Sequence, residues 1–139
     1  MASLIHDLAE WFKSRKTRVT AWYEDGVGRY AFRVCVDGQD FVACARSSPP
    51  ADGRTSVMRR VCGKAQTTDA YVLLRTPEAM YVFDPVTVLA VGDPDDPHDD
   101  SRAKRGEAWV YVDVEYACTF EQWVDGYGKP TKFGDVTDP

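Results

Sequence analysis

The sequence predicts an α+β domain, with an N-terminal helix packed on a mostly antiparallel or mixed sheet, a middle helix and a short C-terminal helix. Three observations carry this. Leu4, Leu8 and Trp11, or Ile5, Leu8 and Phe12, recur at helical spacing near the start of the chain. Asp37-Gly38 stands between two segments rich in β-formers, as a tight hairpin requires. The order helix, three strands, helix, further strands keeps most of the helices apart from the hairpins.

The 139 residues, 44% of them hydrophobic, are enough for one domain with its own core. Residues 1 to 127 are read as that domain, and the Gly-, Pro- and Asp-rich stretch 128 to 139 as a flexible tail. No apolar run approaches the roughly 18 residues of a membrane-spanning helix. The N-terminus lacks the basic-then-apolar order of a secretory signal. A cytoplasmic chain with no membrane partner is the expectation.

Ser3 is a plausible N-cap for the first helix, and Lys13, Arg15, Lys16 and Arg18 suit its C-terminal end. Thr17 to Tyr23 reads as a strand that ends at the turn-forming run Glu24-Asp25-Gly26-Val27-Gly28. Tyr30 to Val36 and Gln39 to Arg46 flank Asp37-Gly38, and a two-residue turn there pairs Val36 with Gln39, Val34 with Phe41 and Phe32 with Ala43. Phe32, Val34, Phe41 and Ala43 then share one face, read as core, while Ala31, Arg33, Cys35, Asp40, Val42, Cys44 and Arg46 share the other. Pro49-Pro50 stops the sheet.

Val57, Met58, Val61, Cys62 and Ala65 form a helical stripe, with Arg54, Arg59, Arg60 and Lys64 on or beside its opposite side. Asp69 to Arg75, Ala79 to Phe83 and the apolar run Val86 to Val91 continue as further strands. Gly92 to Ser101, rich in Asp and Pro, is expected to be a solvated, mobile loop. Ala108 to Tyr116 alternates, with Trp109, Tyr111, Asp113 and Glu115 on one side. Thr119 and Gln122 have the spacing of a capping box, opening a short helix that ends near Gly126.

Several chemistries find no support. Cys35, Cys44, Cys62 and Cys118 contain no CxxC pair, so buried free thiols are expected in place of a zinc site or a disulfide framework. Gly26, Gly28 and Ala31 fit G-x-G-x-x-A, yet lead into a strand where a dinucleotide fingerprint opens a helix. No P-loop and no G-x-S-x-G elbow accompanies His6 or His98. The aspartates of residues 93 to 100 lack the glycine of a calcium loop, so no metal site, catalytic residue or nucleotide cofactor is assigned.

Binding residues are easier to nominate. The net charge is −5, with 12 basic and 9 acidic side chains in residues 1 to 80 but 5 basic and 13 acidic beyond. An acidic chain argues against indiscriminate nucleic-acid binding, while Arg46, Arg54, Arg59, Arg60 and Lys64 remain candidate phosphate contacts. Trp109 and Tyr111, sharing a face with two acids, are the candidate partner surface.

The run Val36-Asp37-Gly38-Gln39-Asp40-Phe41-Val42-Ala43-Cys44-Ala45-Arg46-Ser47-Ser48 resembles the heart of the restriction-endonuclease-like PD-(D/E)XK superfamily, as does the order of elements over residues 3 to 83. The resemblance implies a fold in which a carboxylate on the second strand and an E-x-K on the third hold magnesium and activate water. Those E and K positions fall on Cys44 and Arg46, with Ala31 opposite Cys44; none is a carboxylate. Asp40 stands four residues back, about 13 Å along the strand. The resemblance therefore implies a copy without its metal acids, Arg46 surviving as a phosphate contact, unless Glu10 and Asp25 supply acids from outside the motif. The reading is a small non-enzymatic binding protein, of the kind a virus or mobile element encodes, whose partner is a protein or a second copy in preference to DNA. The alternative is a nuclease-like DNA-binding module, decayed or active.

Overall fold

A computed structural model describes residues 4–15, 19–23, 31–94 and 109–135. The elements are α1 (Leu4–Arg15), β1 (Val19–Tyr23), β2 (Phe32–Val36), β3 (Gln39–Ala45), β4 (Arg54–Met58), α2 (Arg59–Thr67), β5 (Tyr71–Arg75), β6 (Met80–Phe83), α3 (Pro85–Val91), β7 (Asp93–Pro94), β8 (Trp109–Asp113), β9 (Cys118–Thr119) and α4 (Phe120–Val124). The α+β class, with N-terminal, middle and short C-terminal helices on a mixed sheet, is as the sequence predicts. The main sheet runs β1-β2-β3-β5-β6-β9, and a smaller one runs β4-β8-β7. Among the described strands only the β3/β5 pair is parallel.

The hairpin carries the register. Asp37 and Gly38 adopt φ of 50° and 83°, the successive left-handed residues that match a tight turn to strand twist. Val36 faces Gln39, Val34 faces Phe41 and Phe32 faces Ala43, as the turn dictates. On that face Phe32, Val34, Phe41 and Ala43 are buried with Leu8 and Phe12 of α1 and Phe120 of α4. Phe120 sits at the centre: its ring lies 4.8 Å from Trp11, 5.5 Å from Phe12 and 5.6 Å from Phe41.

At Ala31, Val42 and Cys44 the other face is core as well, while Arg33, Cys35 and Asp40 toward the hairpin turn are half-buried. Ala31, Val42 and Cys44 pack with Val61, Cys62 and Ala65 of α2, Val88 of α3 and Val110 and Val112 of β8. β3, with a parallel neighbour in β5 and covered on both sides, loses the in/out alternation that β2 keeps.

Two boundaries differ from the sequence reading. Val57 and Met58 belong to β4 and not to the middle helix, because Arg54–Met58 pairs with β8 before the chain turns helical at Arg59. Val86 to Val91 is helical: Asp84 caps it by accepting from the Thr87 N–H (3.0 Å), and Pro85 takes the first turn, where a missing N–H is harmless. Gly92 ends α3 so close to its neighbours that a Cβ would run into Val88 O and Val110 Cγ1.

Asp93–Pro94, expected in a mobile loop, pairs with Tyr111–Val110 of β8. Past Asp113, the expected strand tightens into a 3₁₀ turn at Val114–Tyr116. The tail, expected to be free from Gly128, is tied down through Thr131. The Thr131 N–H donates to Tyr116 O (2.9 Å), Thr87 Oγ1 donates to Thr131 O (2.9 Å) and Pro130 is buried. The capping box forms as read: Thr119 Oγ1 accepts from the Gln122 N–H, and Gln122 Oε1 from the Thr119 N–H. Ser3, the run Glu24 to Gly28 and residues 95 to 101 lie outside the described residues. No helix among the described residues is long and apolar enough to cross a membrane.

Candidate interaction surface

The smaller sheet has two unlike faces. Thr55, Val57, Val110 and Val112 point into the core, all nearly or wholly buried. The alternate residues, Arg54, Ser56 and Met58 of β4, meet Asp113, Tyr111 and Trp109 of β8 in register; Ser56 is buried and Met58 packs against the core, so Arg54, Tyr111 and Asp113 form the open part of this face. Asp93 of β7 lies opposite Tyr111 on the other flank.

Residues nominated separately converge here. Arg46 is the first residue beyond β3, held there by its N–H donating to Arg75 O at 2.8 Å. Its guanidinium Cζ lies 4.3 Å from the centre of the Trp109 ring, within cation–π range. Trp109 in turn opposes Met58, which Arg59 follows directly to open α2. Arg46, Trp109, Met58 and the start of α2 therefore share one end of the sheet. Tyr111, 39% exposed, stands two residues along.

Arg54 sits at the other end and leaves the expected cationic stripe. It lies on β4, where one Nη2 donates to Asp93 Oδ2 and to Tyr111 O (3.2 Å), and its Nε faces Asp113 Oδ1 at 3.7 Å. Its charge is met by two carboxylates of the same sheet. Arg59 and Arg60 are exposed at the first turn of α2, with Lys64 half-buried one turn on. The five cations are thus divided: one on an aromatic ring, one neutralised, three along α2. Asp93 and Asp113 were missed as partners of Arg54; the first is 39 residues away in sequence and carries no local signal.

Of the three positions implied by the nuclease resemblance, Ala31 and Cys44 come together in the core beside α2, while Arg46 lies on Trp109. Ala31 and Cys44 are 7% and 8% exposed. Burial pushes the Cys44 thiol up to about 12, with the Cys62 sulfur beside it acting in the same direction and Arg46 opposing. The Cys62 thiol is likewise pushed up to about 12 by burial, against a small opposing pull from Arg59. Such thiols stay protonated and inert at neutral pH. Among the described residues, no three of His, Cys, Asp or Glu gather closely enough to hold a metal ion. All four cysteines are free thiols.

The fold and this surface define a three-layer α+β domain with a polar, aromatic outer sheet. No family model, curated protein or solved structure matches the chain.

Proposed function

We propose that the chain is a non-enzymatic binding protein that engages a protein partner through the outer face of β4-β8-β7. The observation that carries this is the Arg46 guanidinium lying on Trp109, with Tyr111 exposed beside it. Trp, Tyr and Arg are the residue types that dominate protein–protein contact energies. The stacked pair is already ordered in the free chain, so less side-chain freedom is lost on association. Charge favours protein over nucleic acid here: Arg54 is met by Asp93 and Asp113, and the chain as a whole carries −5.

The test is a Trp109→Ala/Tyr111→Ala double variant compared with the parent by sizing column and by capture from host extract. A retained protein or self-association lost in the double variant, with the thermal midpoint held, supports the reading. A strict monomer that retains nothing overturns it.

A second reading, a nuclease-like DNA-binding module, is favoured by the start of α2. That helix has no side-chain cap and no acid in its first turn, and opens on Arg59-Arg60. Both side chains are exposed, and the positive end of a helix suits an anion. This reading requires gel retention of DNA at low salt, weakened by Arg46→Ala, Arg59→Ala and Arg60→Ala; a DNA-blind chain removes it. Magnesium-dependent cleavage lost on Glu10→Ala or Asp25→Ala would restore an enzyme.

A further inference from the structure

On the opposite side of the main sheet, a cleft of about 520 Å³ opens between α1, the β5-β6 turn and the start of α4. Its floor is apolar, with Trp11 and Met80 half-buried over the wholly buried Phe120. Its rim carries the carboxylates of Asp7, Glu10, Glu78 and Glu121. The one cation among the lining residues is Arg75, whose Nε stands 3.9 Å from Asp7 Oδ2.

We propose that this cleft receives a lysine or arginine side chain from a basic segment of a partner protein. The volume is that of a small-ligand site, far larger than an ion needs. The acids are spread around the rim and do not gather into a three-ligand metal cluster. Spread acids suit a long cation, whose head is shared between carboxylates while its methylene stem covers an apolar floor. Trp11, packed on Phe120, lines the same cleft and offers apolar surface to that stem. A phosphate chain is disfavoured by the acidic rim, and an apolar helix would strip water from the Glu10 and Glu78 carboxylates without pairing them. The cleft and the Trp109 surface lie on opposite faces of the main sheet, so this inference stands or falls separately from the proposed function.

The experiment titrates the full chain, labelled with ¹⁵N, with a blocked hexalysine peptide and with a blocked hexaglutamate peptide at about 0.15 M salt, where longer-range attraction is screened. The expected result is saturable shifts confined to Asp7 to Trp11, Pro77 to Met80 and Thr119 to Glu121 with hexalysine only. Glu10→Gln/Glu78→Gln weakens binding about five- to tenfold, while Glu115→Gln, exposed elsewhere, leaves it unchanged. Shifts that follow every surface acid, binding indifferent to Glu10→Gln/Glu78→Gln, or no binding would each overturn the proposal. So would shifts at these residues that grow with protein concentration in the absence of peptide, since the occupant would then be a second copy.

Discussion

On one side of the main sheet α1 and α4 close over several rings; on the other, α2, α3 and the small sheet close over a mainly aliphatic layer with two thiols and a single wholly buried ring, Phe83. The ring side concentrates its contacts. Phe120 alone touches Trp11, Phe12, Phe41 and Trp123, at centroid distances from 4.8 to 6.2 Å, and edge-to-face pairs add to the area they bury. The aliphatic side spreads the same work over mostly small side chains from seven elements, with Phe83 of β6 its one wholly buried ring. A layer built from many small pieces can carry a further sheet on its back, and that sheet supplies the polar outer face with Arg46, Trp109 and Tyr111. A layer locked by a few rings is covered by two helices and leaves only a cleft at their margin.

The sharpest way to break this comparison is Phe120→Ala. Removing the ring on which four others converge is expected to destabilise the domain by about 3–5 kcal/mol, read as a fall in the urea midpoint. Val61→Ala, at an equally buried position on the aliphatic side, removes fewer atoms and is expected to have less than half that effect. Equal losses would mean that the two layers do not differ as described.

Alkali probes the aliphatic side. An ordinary thiol ionises near 9.0, whereas those of Cys44 and Cys62 are held protonated up to about 12. Between those values the unfolded chain has released protons that the folded chain still binds, so stability is fully present below pH 9 and falls as pH rises. The slope approaches about 1.4 kcal/mol per pH unit for each thiol. Cys118, on the ring side, is pushed up to about 11 and adds to the same decline. Cys44→Ala/Cys62→Ala should flatten most of the slope in urea titrations at pH 8 to 11, and an unchanged slope would place the linkage elsewhere.

How far each region could be read from sequence follows from how local its determinants are. The hairpin register was legible because Asp37-Gly38 fixes two positive φ values, and every pairing from Phe32 to Ala43 follows from them. The α4 cap was legible because both of its partners lie within three residues. The β4/α2 boundary was hidden, because Val57, Met58, Val61, Cys62 and Ala65 satisfy helical spacing whether or not the first two are in a strand. What settles it is the pairing with β8, some fifty residues on, and sequence spacing carries no trace of that. For α3 a signal existed in Asp84-Pro85-x-Thr87, a cap followed by proline, but the continuous apolar run outweighed it. The candidate surface was half legible: Trp109 and Arg46 were each nominated, and only the tertiary fold puts one on the other.

Smaller effects sharpen the contrast. Thr119→Ala removes the reciprocal cap that starts α4 and is expected to lower stability by about 1 kcal/mol. Much of that loss should fall on the ring side, because α4 is what holds Phe120 in place. Near-ultraviolet circular dichroism, which reports the packed aromatics, should weaken before the far-ultraviolet signal on heating this variant. A coincident loss of both signals would show that the cap supports the whole domain evenly.

The smallest effect is expected at Arg54. It joins β4, β7 and β8 through Asp93 and Asp113, but its side chain is 39% exposed and that of Asp93 71%. Ion pairs so open to water contribute less than about 1 kcal/mol, and salt screens them. Arg54→Ala should therefore shift the urea midpoint only slightly, and the difference should shrink further in 0.5 M salt, about five times the ionic strength at which the screening length is ~10 Å. The informative readout is the surface. Without Arg54, two carboxylates stand unbalanced beside Tyr111, so a partner held through Arg46 and Trp109 should show altered salt dependence, even though neither of those residues has been touched. If binding is insensitive to that change, the contact is confined to the Arg46 end of the sheet, and the charge balance at the Arg54 end serves folding alone.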